Sequence, residues 1–185
     1  MSQAVIALGS NMGNRMENLN DAVRALIKVP GVKIVKASHI YETEPWGITH
    51  QESFLNAVLL IECDIAPHTL LGACLGIEAA MGRIRTIKNG PRIIDLDVLL
   101  YENYKNESRE LTLPHPGILE RSFVLAPLND LFPSGRALGL FFAPQYREIG
   151  DKGILKLDRE LIIPDTKQGE YTKSDTEIPE EEVQK

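Results

Sequence analysis

The stretch from Gly90 to Leu100, GPRIIDLDVLL, constrains the fold most, because it sets two carboxylates inside an apolar strand pattern. Asp95 and Asp97 alternate with apolar residues, namely Ile94, Leu96, Val98 and Leu100. Successive side chains of a β-strand point to opposite faces, so one face is predicted to be core and the other to carry both acids. At a rise of roughly 3.3 Å per residue, the two acids are expected about 7 Å apart.

Two carboxylates at this spacing repel each other, and each raises the pKa of the other unless a cation lies between them. Mg²⁺ meets that need, since it binds carboxylate oxygens and keeps further positions for water and substrate phosphates. A solvated strand face with two surface acids is the alternative. The pair of acids alone favours neither interpretation.

The residues before Asp95 are basic. Four cations stand there, in a segment with glycine, proline and no apolar period that is typical of a loop: Arg83, Arg85, Lys88 and Arg92. The planar fork of arginine matches phosphate oxygens. Acids for a metal beside bases for phosphate indicate a Mg-nucleotide site, although a surface ion-pair network has the same composition.

Composition limits the class of protein. The chain has 185 residues, 43% of them hydrophobic and 25% charged, which fits one globular domain with a sizeable core. A net charge of -6 argues against a broad nucleic-acid surface. Cys63 and Cys74 are expected to be buried reduced thiols. Because the N-terminus does not resemble a signal peptide and no apolar run approaches membrane-spanning length, we expect a cytoplasmic protein.

Apolar periodicity predicts alternating strands and helices. Strands are expected at Ala4 to Leu8, Val32 to Tyr41, Phe54 to Cys63, Phe123 to Leu128 (or an extended core segment) and Ile154 to Ile163; helices are expected around Leu19 to Ile27, from Ala66-Pro67 onward, and at Leu138 to Tyr146. From residue 164 to 185 the chain turns polar and acidic, which predicts a flexible tail after one domain spanning residues 1–163. No internal repeat or second domain is visible.

Four further residues are candidates for chemistry. Asn56 lies between apolar residues of a predicted strand, so its amide needs a partner in the protein or on a ligand. Glu78 fits either a solvated helix acid or a group directed at the site. His115, between two prolines, fits a structural role or a phosphate donor beside Arg121. Trp46, in a polar loop, fits a lid or a hydrophobic plug.

Six pieces of the chain together resemble one family, 6-hydroxymethyl-7,8-dihydropterin pyrophosphokinase of folate biosynthesis. They occur in the family's order and are ALGSNMGNR (from Ala7), YETEPWG (from Tyr41), FLNAV (from Phe54), IEAAMGRIR (ending at Arg85), GPRIIDLDVLL (from Gly90) and LTLPHPGILERSFVLAPL (from Leu111). The resemblance implies a ferredoxin-like α+β fold, in which helices pack on an antiparallel β-sheet. It also implies transfer of pyrophosphate from MgATP to the pterin hydroxymethyl group, with release of AMP.

The resemblance assigns expected roles to individual residues. Asp95 and Asp97 are expected to bind two Mg²⁺ ions and to act in catalysis together with Arg83 and Arg92. The expected ATP-binding residues are Glu78, Arg85, Lys88, Arg92, Thr112, His115 and Arg121. The expected pterin-binding residues are Thr43, Pro45, Trp46, Phe54, Asn56 and Phe123, with the two phenylalanines stacking on the ring.

The chain departs from the family pattern at two places. The loop from Thr86 to Asn89 lacks the tryptophan that some members carry, which leaves closure over the pterin to Trp46. Glu110 stands where some members have arginine, and Arg109 is the candidate substitute. The expected partners are ATP and 6-hydroxymethyl-7,8-dihydropterin, without nucleic acid or membrane, and the expected state is a monomer or weak homodimer.

Two other interpretations of the sequence remain open. The first is a non-catalytic module that binds Mg-nucleotide or pterin on the same fold. The second is a ferredoxin-like RNA-binding domain, which predicts exposed aromatic residues on the sheet and a basic surface. The acidic balance of the chain and its paired carboxylates argue against the second.

Overall fold

The structure is a computed structural model that describes residues 1–45, 51–84, 90–150 and 152–164. The strands are β1 (Ser2–Ser10), β2 (Val32–Ala37), β3 (His39–Thr43), β4 (Phe54–Cys63), β5 (Asp95–Tyr101), β6 (Asn106–Glu107), β7 (Thr112–Leu113), β8 (Arg136–Ala137), β9 (Leu140–Phe141) and β10 (Ile154–Glu160). The helices are α1 (Arg15–Ile27), α2 (Pro67–Ala80), α3 (Ser122–Leu131) and α4 (Ala143–Ile149), and a 3-10 turn covers Ile118–Glu120.

The main sheet is antiparallel and has six strands in the order β10-β3-β4-β1-β5, with β2 also paired to β4. The elements follow the β-α-β-β-α-β order of the ferredoxin-like fold along the chain: β1, α1, then β2 and β3 in the place of one strand, then β4, α2 and β5. This confirms the predicted α+β class. Strand β10 extends the sheet beyond that core unit.

One long strand was predicted from Val32 to Tyr41, but the structure divides it at Ser38 into β2 and β3. Both strands pair with the same edge of β4, at different places. Ser38 fills the break: its amide donates to the carbonyl of Val58 at 2.9 Å, and its hydroxyl accepts from the amide of Val58 at 2.9 Å. Because the side chain replaces a ladder bond, β4 stays fully paired across the break.

Helices cover the sheet on both faces. Strand β4 shows the predicted alternation, with Leu55, Ala57, Leu59 and Ile61 in one buried cluster and Val58 and Leu60 in the other. Residues of α1 and α2 complete the first cluster, and residues of α3 complete the second. The sheet is therefore the middle layer of three.

Strand β5 alternates only in part as predicted. Ile94, Leu96 and Val98 lie in the first cluster, whereas Leu100 lies in the second together with Leu99. The cause is a shift of register opposite Val5 and Ile6 of β1, which inserts one residue into β5. The prediction that Leu100 shares the face of Ile94 was therefore wrong.

The predictions after residue 120 were the least accurate. Phe123 to Leu128 was expected to be a strand or extended core segment and is instead part of helix α3. A short apolar run has no clear period, so strand and buried helix cannot be told apart in it. The helix expected over Leu138 to Tyr146 begins only at Ala143, after the small β8-β9 hairpin, and the last strand ends at Glu160.

Other expectations concern the whole chain. Cys63 and Cys74 are buried and unpaired, as predicted. In the described ranges, every helix is too short or too polar to cross a membrane. Residues 165–185 of the predicted acidic tail lie outside the described residues.

Candidate active site

A cavity of about 430 Å³ opens where the ends of β1, β4 and β5 meet the start of α3. It brings together ten of the residues singled out from sequence: Thr43, Phe54, Asn56, Arg83, Arg92, Asp95, Asp97, His115, Arg121 and Phe123. Because strands β3, β4 and β5 all have an end at this cavity, residues far apart in the chain lie close together there.

The two carboxylates lie on β5, opposite β1. Asp95 pairs with Gly9 and Asp97 pairs with Ala7, so both acids face the cavity beside small residues. Burial and, after it, the neighbouring Asp95 carboxylate raise the pKa of Asp97, against the opposing charges of His115, Arg121 and Arg92. Asp97 is therefore a buried carboxyl group whose ionised form a nearby cation would favour.

Arg83 joins α2 to β5. Its Nη1 donates to the carboxylates of both Glu78 and Asp95. The Glu78 side chain, only 3% exposed, also accepts from the amide of Leu96 at 2.8 Å. Glu78 is therefore buried rather than solvated, and it orients both an arginine and the strand that carries the acids.

Arg92 lies on the other side of Asp95. Its Nε is 2.9 Å from Asp95 Oδ2, and its guanidinium lies over the ring of Phe54 at 4.8 Å from the centroid. This places one cation between the carboxylates and an aromatic ring.

Asn11 fixes the backbone of Arg92 and was not identified from sequence. Its side-chain Oδ1 accepts from the backbone amide of Arg92 at 2.8 Å, and its backbone amide donates to the carbonyl of Arg92 at 3.1 Å. Its Nδ2 donates to Gln51 Oε1 and to the carbonyl of Glu52, each at 3.0 Å. Asn11 thus ties the loop after β1 to both the arginine and the segment before β4. The only sequence signal was its place in the Gly-Ser-Asn turn.

A buried amide and two aromatic rings form the other half of the cavity. Asn56 Nδ2 donates to Thr43 Oγ1 at 2.9 Å, and both residues are buried. Gly9 faces Asn56 across the β1-β4 pair, and a Cβ atom there would come within 3.1 Å of Asn56 Oδ1. Phe123 lies near Arg121, whose Cζ is 5.8 Å from its ring centroid.

His115 has a fixed tautomer. Its backbone amide donates to the carbonyl of Leu99 at 2.8 Å, and its Nδ1 accepts from the backbone amide of Gly117 at 3.1 Å. Burial lowers the pKa of His115, with the Asp97 carboxylate acting in the opposite direction. The neutral ring therefore carries its proton on Nε2, where it is available as a donor.

A second cavity, of about 360 Å³, adjoins the first, and both are lined by Asp97 and His115. Its polar residues include Glu78 and Thr112, which were predicted to bind ATP, and also Arg109 and Glu110. Its apolar wall comes from Leu71 and Leu75 of α2 with Leu96 and Val98 of β5. These four residues had been recognised only as core. Their second role was not visible because apolar lining residues have the same pattern as core.

Four of the predicted site residues are not placed in either cavity. Pro45 is half-buried and does not line them. Trp46, Arg85 and Lys88 lie outside the described residues. Their expected roles stay predictions.

Comparison with known proteins identifies the relatives of this chain. The family described as 7,8-dihydro-6-hydroxymethylpterin-pyrophosphokinase (HPPK) matches residues 5–133. The chain belongs to the HPPK family. A Methylorubrum extorquens protein named 2-amino-4-hydroxy-6-hydroxymethyldihydropteridine pyrophosphokinase is 47% identical over 133 residues, which are 72% of this chain and 84% of that protein.

Other HPPK relatives are longer. A mitochondrial folate synthesis bifunctional protein of Pisum sativum is 46% identical over 129 residues, which cover 70% of this chain but 25% of that protein. A crystal structure of an HPPK-DHPS protein in complex with substrates aligns with a TM-score of 0.66 and 15% identity, over 84% of this chain and 46% of that one. At that identity the alignment supports the ferredoxin-like fold alone.

The residues of this HPPK chain fit a magnesium ion. Asp95 and Asp97 both line the cavity and would present their carboxylate oxygens to such an ion. Two carboxylates are the usual protein share of a Mg²⁺ site that is completed by water and substrate phosphates. A cation bound between these carboxylates would oppose the burial and the Asp95 charge that raise the pKa of Asp97.

Proposed function

We propose that this chain transfers pyrophosphate from MgATP to the hydroxymethyl group of 6-hydroxymethyl-7,8-dihydropterin, in folate biosynthesis. One observation supports this most strongly: a single cavity joins a flat aromatic site with a buried amide to a cluster of carboxylates and arginines. A flat, hydrogen-bonding ring and a polyphosphate would then meet inside the same space. Membership of the HPPK family gives the reaction class.

The ring is recognised by shape and by hydrogen bonds. Phe54 and Phe123 offer faces for offset stacking of the bicycle. Thr43 Oγ1 accepts one proton of the Asn56 amide group, which turns the Asn56 carbonyl oxygen toward donors of the pterin. A flat molecule without those donors would leave a buried polar atom unpaired, and the site would reject it.

The phosphates are held by the cations around β5. Arg83, Arg92 and Arg121 surround the Asp95 and Asp97 pair and would neutralise the charge that develops on the transferring group. The Nε2 proton of His115 would donate to a phosphate oxygen, because its Nδ1 is already an acceptor. Thr112 and Glu78, with the apolar wall of the second cavity, would hold the nucleoside.

Asp95 and Asp97 would hold two Mg²⁺ ions. When bound, these ions would supply Lewis-acid charge to the phosphate oxygens and to the attacking hydroxyl. In the reaction, the hydroxymethyl oxygen forms a bond to the β-phosphorus. The bond from that phosphorus to the oxygen shared with the α-phosphate breaks, AMP leaves, and the hydroxyl proton is released.

The remaining assignments concern the whole chain. We place the catalytic domain at residues 1–163 and a flexible acidic tail at residues 164–185, and we expect a cytoplasmic monomer or weak homodimer. The buried, unpaired state of Cys63 and Cys74 agrees with a reducing compartment. Sedimentation of the purified protein and limited proteolysis test these points, since the tail should be cut before the domain.

The direct test is an assay of nucleotide products with ATP, Mg²⁺ and 6-hydroxymethyl-7,8-dihydropterin. We expect AMP and a diphosphorylated pterin in equal amounts, and neither product when the pterin is omitted. ADP in place of AMP would mean attack at the γ-phosphorus and would contradict the proposal. Binding of both substrates without turnover would favour the alternative, a non-catalytic Mg-nucleotide or pterin module.

A further inference from the structure

The segment after the family match contributes a strand beside the ring-binding half of the cavity. The HPPK family matches residues 5–133, whereas β10 runs from Ile154 to Glu160. It pairs antiparallel with β3, and Ile154 lies directly opposite Thr43. Thr43 is the last residue of β3 and lines the cavity. The added strand therefore begins directly opposite Thr43, the residue that accepts a hydrogen bond from Asn56.

Apart from β10, the strand that pairs with this end of β3 is β4, through a short ladder. This ladder covers only Tyr41 to Thr43, opposite Phe54 to Asn56. Residues at the end of a short strand separate easily from their neighbours, because few hydrogen bonds hold them. With β10 in place, Thr43 has a strand on both sides, Phe54 on one and Ile154 on the other.

Contacts on two sides attach β10 and the residues just after it to the rest of the molecule. Leu157 and Leu161 pack against the first core cluster, and the amide of Ile162 donates to Asn20 Oδ1 of α1 at 3.0 Å. On the other side, Asp130 of α3 accepts from Tyr41 Oη at 3.0 Å and lies 3.5 Å from Lys156 Nζ. The strand is thus anchored to α1, to the core and to α3.

We propose that β10 is a positioning element for ring recognition: it holds Thr43, and through Thr43 the Asn56 amide, in the orientation that binds the pterin. This inference rests on the proposed function. It assigns a task in substrate specificity to a segment outside the family match. No atom of β10 needs to touch the substrate, since the effect passes through the β3 backbone and the 2.9 Å bond from Asn56 to Thr43.

The test compares two sets of leucine substitutions on the same segment. The double variant Leu157→Ala with Leu161→Ala releases the segment from the core, because Leu161 is 7% exposed and Leu157 packs on the same cluster. Leu155→Ala is the matched control, since Leu155 is 60% exposed on β10. Pterin binding is measured by titration in saturating Mg²⁺ and α,β-methylene-ATP. In this analogue a methylene group replaces the oxygen between the α- and β-phosphorus atoms, so transfer cannot occur.

We expect the double variant to bind the pterin about tenfold more weakly, because ordering a loosened strand end on binding costs free energy of that size. Affinity for α,β-methylene-ATP should stay within about twofold, and Leu155→Ala should match the wild type. Hydrogen exchange should quicken at Tyr41 to Thr43 but not in β5 or α2. If the double variant does not fold, Leu161→Ala alone is measured in the same way.

Unchanged pterin affinity together with faster exchange in β10 would overturn the inference, and so would an equal loss of nucleotide and pterin affinity. Each of these results leaves the proposed function intact. Failure of the wild-type protein to bind the pterin at all would instead contradict the proposed function. Asn20→Ala, which removes only the bond to Ile162, should shift pterin affinity in the same direction by a smaller factor.

Discussion

Among single residues, Asp97 stands out because it lines both cavities. Arg83 and Arg92 both contact Asp95, whereas the arginines that act on Asp97, Arg121 and Arg92, do so from a distance. Burial and Asp95 raise the pKa of Asp97. In the proposed function, this carboxylate would bind a cation between the pterin and the nucleoside.

Replacing Asp97 with Asn tests that position without changing the shape of the side chain. We expect turnover in Mg²⁺ to fall by at least about a hundredfold, because the site loses the charge that holds the metal and offsets the phosphate. Pterin affinity should change little, since the ring contacts lie on β3, β4 and α3. AMP release and equilibrium pterin binding measure the two effects. Turnover equal to the wild type would contradict the assignment of Asp97 as a metal ligand.

Phe123 tests the aromatic half of the site. Phe123→Ala should weaken pterin binding by about 1 kcal/mol or more, through lost stacking and lost burial of apolar surface. Phe123→Tyr keeps the ring and is the matched control, for which we expect near wild-type affinity. Titration with the pterin in saturating α,β-methylene-ATP distinguishes the two variants. Equal affinity of the alanine variant and the wild type would remove Phe123 from the ring site.

At the scale of elements, Asp130 is the point where α3, β3 and β10 meet. One carboxylate oxygen accepts from the amide and Nδ1 of His39, at 3.1 and 2.9 Å, and from Tyr41 at 3.0 Å. Burial acts to raise the pKa of Asp130, but the hydrogen bonds from His39 and Tyr41 and the charge of Lys156 outweigh it and lower the pKa. The ionised form therefore stabilises the contact between the sheet and α3.

This lowered pKa predicts how stability depends on pH. A carboxyl group with a lower pKa in the folded state stabilises the protein above its unfolded pKa, about 4, and that contribution is lost as the pH falls through the folded pKa. Asp130→Asn should cost about 1–3 kcal/mol at neutral pH, because it replaces charge-assisted hydrogen bonds to a half-buried carboxylate with weaker neutral ones. Urea unfolding from pH 3 to 7 measures this.

The difference between the wild type and Asp130→Asn should shrink as the acid limit is approached. A constant difference over the whole range would mean that the charge of Asp130 contributes nothing. Asp158→Asn, an exposed acid on β10, is the control and should leave the curve unchanged.

For the whole molecule, the sequence predicted regular strands better than features that depend on contacts between distant parts of the chain. The alternation along β4 was correct because that strand is regular, and a candidate site could be predicted because Asp95, Asp97 and the arginines before them stand close together in the chain. Leu100 was misplaced because an inserted residue in β5 depends on its pairing with β1. Asn11 was missed because its partners are 40 to 81 residues away.

At the scale of the whole molecule, the proposed magnesium site would have few protein ligands. Its expected ligands are Asp95 and Asp97, and Asp95 is already paired with Arg83 and Arg92. The core clusters on the two faces of the sheet account for the fold without an ion. Magnesium is therefore expected to bind together with the nucleotide rather than to maintain the structure.

Removal of the metal should accordingly stop catalysis and leave the fold intact. In EDTA, we expect no AMP formation and a melting temperature within about 2 °C of that in Mg²⁺ alone, because binding to two carboxylates gives little linkage free energy. ATP with Mg²⁺ at about a hundred times its Kd should raise the melting temperature by about 5–10 °C. ATP with EDTA should raise it much less, and Asp97→Asn should lose the magnesium-dependent part. A large fall in melting temperature in EDTA alone would instead indicate a structural metal that holds the sheet together.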